Sequence, residues 1–306
     1  MTVRAATVGV EVGPVAQTID ARWLMAYAAG LGETDARYYD CLAAAGPAAH
    51  PLFAVCYEWP VALMIRAKTI DEALAPRSVH ATHHLVVHRP PRAGDHLLTS
   101  ARVIEVARRR SGTLVVTRFT TVDERGAPVT TTDYGSVYRG VESDGEARES
   151  SPDVGAWTTR RAHREPDADL RSSEAAAPVR WTEVVALTAG AAHVYTECAR
   201  IWNPIHTDSA VATAAGLPCI ILHGTATLAL ALSRVVARDL DGDPASIHEV
   251  AARFTGMVPL PSTLTVRGRA GDGAATRFDA LDASGAIVLA DGVVRSHPHS
   301  GGAPAP

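Results

Sequence analysis

The sequence contains one motif twice, and this internal repeat restricts the fold more than any other feature. The pattern Arg-Phe-x-x-x-Asp-x-x-Gly occupies residues 118–126 and returns 159 residues later at 277–285. In each copy, alternating apolar residues precede the Asp-x-x-Gly and follow it. Asp forms local hydrogen bonds and Gly accepts positive φ, so each copy predicts a β-hairpin. The two halves of the chain are therefore expected to contain the same strand pair.

A second repeat lies upstream of each hairpin. Residues 27–40 and 195–208 both run from Tyr to Asp over the same distance. Each is preceded by the start of a predicted helix, with Asp20 and Thr188 as the expected N-caps, and each leads into an Ala-rich stretch that ends at a glycine. The two repeats indicate that the halves of the chain arose by duplication.

The order of elements is the same in both halves. Each is predicted to have a short helix, an irregular segment, a longer apolar helix and about four strands. The predicted long helices are 58–70 and 225–238, and the predicted strands are 78–89, 96–107, 112–123, 128–139, 247–257, 261–269, 274–282 and 286–295. A helix followed by antiparallel strands is an α+β arrangement, in which the sheet buries one face against the helix.

The sequence divides into four segments. Residues 1–141 and 179–296 carry the two copies, and 306 residues is roughly the length of two domains. Residues 142–178 are rich in charged residues, Ser and Ala, and are predicted to be a linker that packs in part through Trp157. Residues 297–306 lack core-forming side chains and are predicted to be a mobile tail.

Composition and charge exclude several classes of protein. A formal net charge of -4 argues against a nucleic-acid partner, which needs a basic surface. The four cysteines are scattered and form no Cys-x-x-Cys pair, which favours a protein of the reducing cytoplasm. The N-terminus has no signal-peptide pattern, and the most apolar stretch, 219–237, is interrupted by His223 and Arg234. We therefore expect a cytoplasmic globular protein with no membrane partner.

Residues 195–224 carry the clearest chemical signature. They contain Asn-Pro-Ile-His-Thr-Asp at 203–208 and Ile-Leu-His-Gly at 221–224, ahead of an apolar helix. This motif and its spacing resemble MaoC-like dehydratases and (R)-specific enoyl-CoA hydratases. The resemblance implies a double hotdog, in which two tandem units each wrap an antiparallel sheet around a long helix, and it implies a homodimer. Residues 88–95 look like the first-half hairpin of double-hotdog members.

The resemblance also implies the site residues. In the family, an Asp and a His together activate one water for addition to the double bond of an enoyl thioester, and a backbone amide holds the thioester oxygen. By position, the His is His206, the amide is that of Gly224, and Asn203 supports the loop. His223 precedes Gly224 and either contacts substrate or hydrogen-bonds the loop. A helix N-terminus suits this chemistry because its unpaired N–H groups and dipole stabilise an enolate.

The family's Asp is missing from this sequence. Its position, two residues before Asn203, holds Ile201, which cannot accept a proton. A positioned acid or base typically contributes about 10²- to 10⁴-fold in rate, so ordinary hydration needs a substitute. The candidates are Glu197, four residues before Ile201, and Glu33, its counterpart in the first half.

Three functions remain open from the sequence. The first is a hydratase or dehydratase that interconverts 2-enoyl and 3-hydroxyacyl thioesters, with water activated at His206. The second is cyclisation or isomerisation of a polyketide-like or CoA-linked acyl chain, favoured by the apolar Ile201. The third is a non-catalytic thioester-binding subunit. In each, the expected partner is an acyl-CoA or acyl-carrier-protein thioester with no cofactor. No metal is expected, because His80, His84 and His88 are too far apart along a strand to share one ion.

Overall fold

The computed structural model describes residues 1–149, 177–271 and 275–297. Most of the predicted linker, including Trp157, lies outside the described residues, as does the predicted tail beyond residue 297. We refer to residues 1–149 as the first half and to 177–297 as the second half. Across these described ranges, none of the helices combines the length and apolarity needed to span a bilayer.

Each half contains one long helix and several antiparallel strands. The first half consists of β1 (Glu11–Thr18), α1 (Ala21–Gly30), α2 (Ala54–Thr69), β2 (Ser78–Val87), β3 (His96–Arg109), β4 (Gly112–Asp123), β5 (Pro128–Arg139) and β6 (Arg148–Glu149). The second half consists of β7 (Val179–Leu187), α3 (Ala191–Ala199), α4 (Ser209–Ala214), α5 (Gly224–Asp239), β8 (Ile247–Phe254), β9 (Ser262–Arg269), β10 (Ala275–Leu281) and β11 (Ile287–Ser296). The predicted α+β order is confirmed.

Some predicted boundaries differ from the structure. The eight predicted strands are present within about three residues of their expected ends, whereas β1 and β7 were not predicted. Helix α2 begins at Ala54, four residues before the expected start. Helix α3 begins at Ala191 with Gly190 as its N-cap, because Thr188 contributes its backbone carbonyl to the Ala191 N–H instead of a capping side chain.

A single antiparallel sheet contains strands of both halves. Its order is β1-β3-β4-β5-β2-β8-β11-β10-β9-β7, with β6 paired to β3 at the side. The halves meet where β2 pairs with β8, in a register that runs from Thr82 opposite Arg253 to Val86 opposite Glu249. Because the two central strands occupy equivalent places in the duplicated halves, the prediction of two units sharing one sheet is confirmed.

The repeated Asp-x-x-Gly motif forms the same turn twice. The Asp123 carboxylate accepts hydrogen bonds from the backbone N–H groups of residues 125 and 127, and Gly126 has a φ of 79°. Asp282 makes the equivalent bonds to residues 284 and 286, and Gly285 has a φ of 83°. Only glycine adopts such φ values without strain, so the motif itself determines where each hairpin turns.

The short helices α1 and α3 pack against each other and join the halves on the helical side. A Cβ on Gly30 would lie 2.8 Å from the Cβ of Cys198, so the close approach of the helices requires glycine there. One turn earlier, the hydroxyl groups of Tyr27 and Tyr195 lie 3.4 Å apart in the core. Both tyrosines come from the upstream repeat, which explains why that repeat is symmetric across the junction.

Residues 142–149, predicted as the start of the linker, pack on the first half. Strand β6 pairs with β3, and the Asp144 carboxylate accepts a hydrogen bond of 2.8 Å from the Ala5 N–H. Residues Val3 and Ser143 form a parallel bridge. Described residues of the predicted linker therefore contact the first half, and the domain boundary at residue 141 stays a prediction.

Candidate functional site

A cavity of about 430 Å³ lies between the long helices and the sheet, and both halves line it. The second half contributes the residues that the sequence motif singled out, which are Ile201, Asn203, His206, His223 and Gly224. The first half contributes one face of α2 and parts of β2, β4 and β5. Much of the lining is aliphatic or aromatic, as in small-molecule sites that bury an apolar ligand.

His206 is held in one orientation by its own loop. It ends the short helix Pro204–His206, and Asp208 caps the following helix α4 through the N–H groups of Ala210 and Val211. The Nδ1 atom of His206 lies 2.8 Å from the Ile221 carbonyl oxygen. Because a carbonyl oxygen only accepts, Nδ1 carries the proton and Nε2 keeps its lone pair. Burial lowers the pKa of His206 to about 4, so the ring is neutral near pH 7.

His223 stacks on His206 at the start of helix α5. The ring centroids are 3.8 Å apart with an interplanar angle of 26°. The Nε2 atom of His223 lies 3.2 Å from the Thr196 hydroxyl, and burial together with the neighbouring His206 holds the pKa of His223 well below its usual range. Gly224 follows as the first residue of α5, where N–H groups have no partner within the helix. The stacked pair thus lies next to a helix N-terminus.

Ile201 faces this cavity with an apolar side chain. It is 4% exposed, and its N–H donates to the Thr196 carbonyl oxygen just after α3 ends. Asn203 lines the same cavity two residues later. The position at which the resembling family carries a carboxylate is therefore five residues before His206 in the chain and lines the same cavity, and it contains no ionisable group.

Neither predicted substitute carboxylate is among the described residues that line the cavity. Glu197 is exposed on α3. Glu33 is half-buried after α1, where its backbone carbonyl accepts a hydrogen bond from the Tyr39 hydroxyl. The structure brings His206 and Gly224 to one cavity but does not bring these two glutamates to it. Their role as a base stays a prediction.

The first half supplies a carboxyl group that the sequence analysis missed. Glu58 on α2 is 3% exposed and lines the cavity, and its Oε1 accepts a 2.5 Å hydrogen bond from the Thr132 hydroxyl. Burial raises the pKa of Glu58 to about 7, although the Thr132 bond acts in the opposite direction. The available signal was a lone Glu within the apolar run Val-Cys-Tyr-Glu-Trp-Pro-Val. The predicted helix started at this residue, and the sequence analysis gave Glu58 no role in the site.

His80 forms the wall of the cavity next to Gly224. Its ring stacks on Tyr134 with centroids 3.7 Å apart and lies 4.2 Å from the ring of Phe254. Its Nε2 donates to the Thr82 carbonyl oxygen at 3.1 Å, and its Nδ1 lies 3.6 Å from the position that a Cβ on Gly224 would occupy. The first half thus reaches the N-terminus of α5.

The other two histidines of β2 have separate partners. His84 pairs with Glu249 at 3.1 Å, and His88 lies 3.0 Å from the Thr131 hydroxyl. Among the described residues, no group of three His, Cys, Asp or Glu side chains has the arrangement of a metal site.

Two family models match the chain, one in each half. The model described as "MaoC like domain" matches residues 173–281, and the model described as "FAS1-like, dehydratase domain region" matches residues 6–132. The matches follow the duplication, because each covers one of the two helix-and-sheet units.

Curated relatives extend this similarity. The 3-hydroxyacyl-thioester dehydratase Y of Mycobacterium tuberculosis is 30% identical over 225 residues, which is 71% of this chain and 71% of that protein. The peroxisomal multifunctional enzyme type 2 of Drosophila melanogaster is 30% identical over 193 residues, or 61% of this chain. The matched stretch is 29% of the Drosophila enzyme, so the chain corresponds to less than a third of that relative.

A solved structure agrees with the fold over nearly the whole chain. The MaoC-like dehydratase from Phytophthora capsici superposes with a TM-score of 0.78 at 21% identity, covering 95% of this chain and 97% of that one. Likenesses of this kind confirm the predicted double hotdog fold.

Proposed function

This chain belongs to the MaoC-like dehydratase family, and from that premise we propose that it interconverts 2-enoyl and 3-hydroxyacyl thioesters by adding or removing water at His206. The observation that carries the proposal is the geometry of His206. Its Nδ1–H is bound by the Ile221 carbonyl, which leaves Nε2 as a proton acceptor beside the N-terminus of α5. The relatives named as hydratases and dehydratases support the same reaction class.

Binding of the thioester carbonyl is assigned to the start of α5. When a double bond conjugated to a thioester is attacked, negative charge develops on the thioester oxygen. The Gly224 N–H and the positive end of the helix dipole stabilise that charge where it forms. Gly224 has no side chain, so the substrate can approach the backbone between His80 and Phe254.

His206 moves the proton in both directions. In hydration, Nε2 takes one proton from water while the water oxygen bonds to C3 of the enoyl chain, and the electron pair of the double bond becomes the enolate. The imidazolium then returns that proton to C2, which completes the addition of one water. Because burial lowers the pKa of His206 to about 4, its imidazolium is more acidic than that of an exposed histidine and gives up the proton more readily.

The apolar Ile201 separates this site from one that uses a carboxylate and a histidine together. A positioned base contributes about 10²- to 10⁴-fold in rate. With His206 as the one base, hydration is therefore expected to be much slower than in a site that has both a carboxylate and a histidine. The same observation favours the second candidate, cyclisation or isomerisation of an acyl chain held by the same carbonyl site. Binding without any turnover would instead support a thioester-binding subunit.

The test is hydration of short and long 2-enoyl-CoA thioesters by the wild type and by His206→Gln. We expect the variant to lose about 10²-fold or more in kcat, because Gln cannot take the proton. His193→Gln is the matched control, since His193 is exposed on α3 and, among the described residues, hydrogen-bonds the Thr207 carbonyl oxygen and does not line the cavity. Equal hydration by wild type and His206→Gln would contradict the proposal.

The substitute-base prediction has its own test. If Glu197 or Glu33 is the missing base, its replacement by Gln lowers kcat by about 10²-fold or more and leaves folding intact. Unchanged kcat in both variants would leave His206 as the only base of the three.

The homodimer expected for the family is tested by sedimentation velocity, and the choice between CoA and carrier-protein thioesters by comparing both as substrates.

A further inference from the structure

Glu58 is a buried carboxyl group, and no charged partner for it is found among the described residues. It is the only carboxyl among the described residues that line the cavity. Thr132 satisfies its Oε1, and no described residue hydrogen-bonds its Oε2. Taking a carboxylate out of water costs several kcal/mol unless other groups compensate. An ionisable group that is buried in a ligand cavity despite this cost is a candidate for binding the ligand.

The duplication shows that the fold does not need a carboxyl at this place. Helices α2 and α5 are both 16 residues long, and Glu58 is the fifth residue of α2. The fifth residue of α5 is Leu228, which is fully buried in the core. An apolar side chain therefore satisfies the equivalent position in the other half of the same protein.

Contacts in the first half connect Glu58 to the start of α5. Its partner Thr132 is two residues from Tyr134 on the same face of β5, about 7 Å at about 3.3 Å per residue. Tyr134 in turn stacks on His80, and His80 borders Gly224. We take the acyl chain to follow this line of residues from the amide assigned to the thioester oxygen, so that Glu58 meets the chain beyond C2 and C3.

We propose that Glu58 binds a hydroxyl group on the acyl chain beyond the reacting carbons, so that the preferred substrates are hydroxylated acyl thioesters. This inference rests on the proposed function, because it takes the thioester to be held at Gly224. A free carboxylate oxygen accepts a hydrogen bond from a hydroxyl, and a bond to a charged group is stronger than one between neutral groups. A plain alkyl chain would leave the same oxygen without a partner.

The test measures affinity without turnover. Saturated acyl-CoA thioesters, which have no double bond to hydrate, are titrated by calorimetry in pairs with a plain tail or with a hydroxyl at successive tail carbons. For the best position we expect the wild type to favour the hydroxylated tail by about 10- to 100-fold at about pH 8, the range of a hydrogen bond to a charged group. Glu58→Leu, which copies Leu228, is expected to bring this ratio close to one.

Dependence on pH distinguishes a hydroxyl from a carbonyl on the tail. The wild-type preference for the hydroxyl is expected to grow between about pH 6 and about pH 8 as Glu58 ionises. In Glu58→Gln, which keeps the shape but does not titrate, the preference is expected to be flat across that range. Glu124→Gln, at an exposed hairpin position, is the control and should behave as the wild type.

The outcomes separate this inference from the proposed function. Equal affinity for plain and hydroxylated tails in the wild type would overturn the inference and leave thioester binding intact. A hydroxyl preference that survives in Glu58→Leu would also overturn it. Preference for a keto tail that weakens with rising pH would replace the hydroxyl with a carbonyl ligand. Failure to bind any thioester would overturn both.

Discussion

Restoring the missing carboxylate is the sharpest perturbation of this site. Ile201→Asp places a carboxyl in the cavity beside His206, and Ile201→Asn gives nearly the same shape without a proton acceptor. If hydration is limited by the absence of a second base, Ile201→Asp should exceed Ile201→Asn in crotonyl-CoA hydration by about 10²-fold or more once its carboxyl is ionised. It should also exceed the wild type.

The pH at which this gain appears can be worked from the same cavity. Asp has an ordinary pKa of about 3.9. Burial raises the pKa of Glu58 to about 7 in this cavity, and Ile201 is similarly buried. An introduced carboxyl is therefore expected to ionise near pH 7, and the gain in rate should develop between about pH 6 and about pH 9.

The same shift sets the cost to stability. A rise of about 3 pKa units corresponds to about 4 kcal/mol, at about 1.4 kcal/mol per unit. The folded pKa exceeds the unfolded one, so the folded protein binds more protons between the two values. The free energy of unfolding of Ile201→Asp should therefore fall as pH rises from about 4 to about 7 and change little above that. Urea unfolding of both variants across this range measures the difference.

Two measurements together would show that a carboxylate at residue 201 does not promote hydration. If unfolding shows that the introduced carboxyl titrates near pH 7, yet both variants hydrate crotonyl-CoA equally at about pH 9, then a carboxylate beside His206 is not what the site lacks. The proposal of hydration with a single base would then give way to a different reaction at the same carbonyl site.

Three further predictions concern the rest of the fold. His83 is fully buried, and neither ring nitrogen has a hydrogen-bond partner among the described residues. His83→Phe should therefore raise the free energy of unfolding by about 1 to 3 kcal/mol in urea titrations, and a free energy of unfolding below that of the wild type would contradict this expectation. Burial lowers the pKa of His50 and His83 to about 3, below the ordinary value of about 6.5. The unfolded chain therefore binds protons at a higher pH than the folded protein, and the free energy of unfolding should decrease as pH falls from about 6.5 to about 3. Circular dichroism should show a less steep loss in His83→Phe. The Asp279 carboxylate accepts from Arg267 and Arg269 at 2.6 to 3.0 Å, so Asp279→Asn should lower the unfolding free energy by about 2 kcal/mol, and an unchanged urea midpoint would exclude a net contribution.

The local sequence pattern was sufficient to predict the strands with strong apolar–polar alternation and the hairpins with a defined turn motif. The hairpins were predictable because Asp123 and Asp282 bind the turn N–H groups that follow them. Strand β1 escaped prediction because a Gly-Pro pair interrupts its alternation and most of its residues are exposed or half-buried. Strand β7 has alternation, but it follows a polar segment that gave no start signal and it lies at the other edge of the sheet.

The site was predictable only where one stretch of chain carries it. His206 and Gly224 belong to one stretch of chain, and the resemblance of that stretch to MaoC-like dehydratases implied their place in the site; both line the cavity. Glu58 and His80 reach the cavity through the pairing of β2 with β8 and the packing of α2, which are contacts between distant parts of the sequence. No periodicity within either half indicates which residues will face the other half.

The duplicated halves have diverged in chemistry at matching positions. His223 precedes α5, and the residue that precedes α2 is Phe53. The first-half counterpart of His206 is Tyr38, which is buried and whose phenol pKa is raised far above its usual range by burial and by Glu33. Neither aromatic ring offers an acid or base near neutral pH. The first half therefore cannot repeat the proton transfer assigned to the second half. Glu58 is the only carboxyl that the described residues of the first half place in the cavity, at a position where the second half has Leu228. For this reason we assign selectivity for the acyl chain to the first half and the reaction to the second.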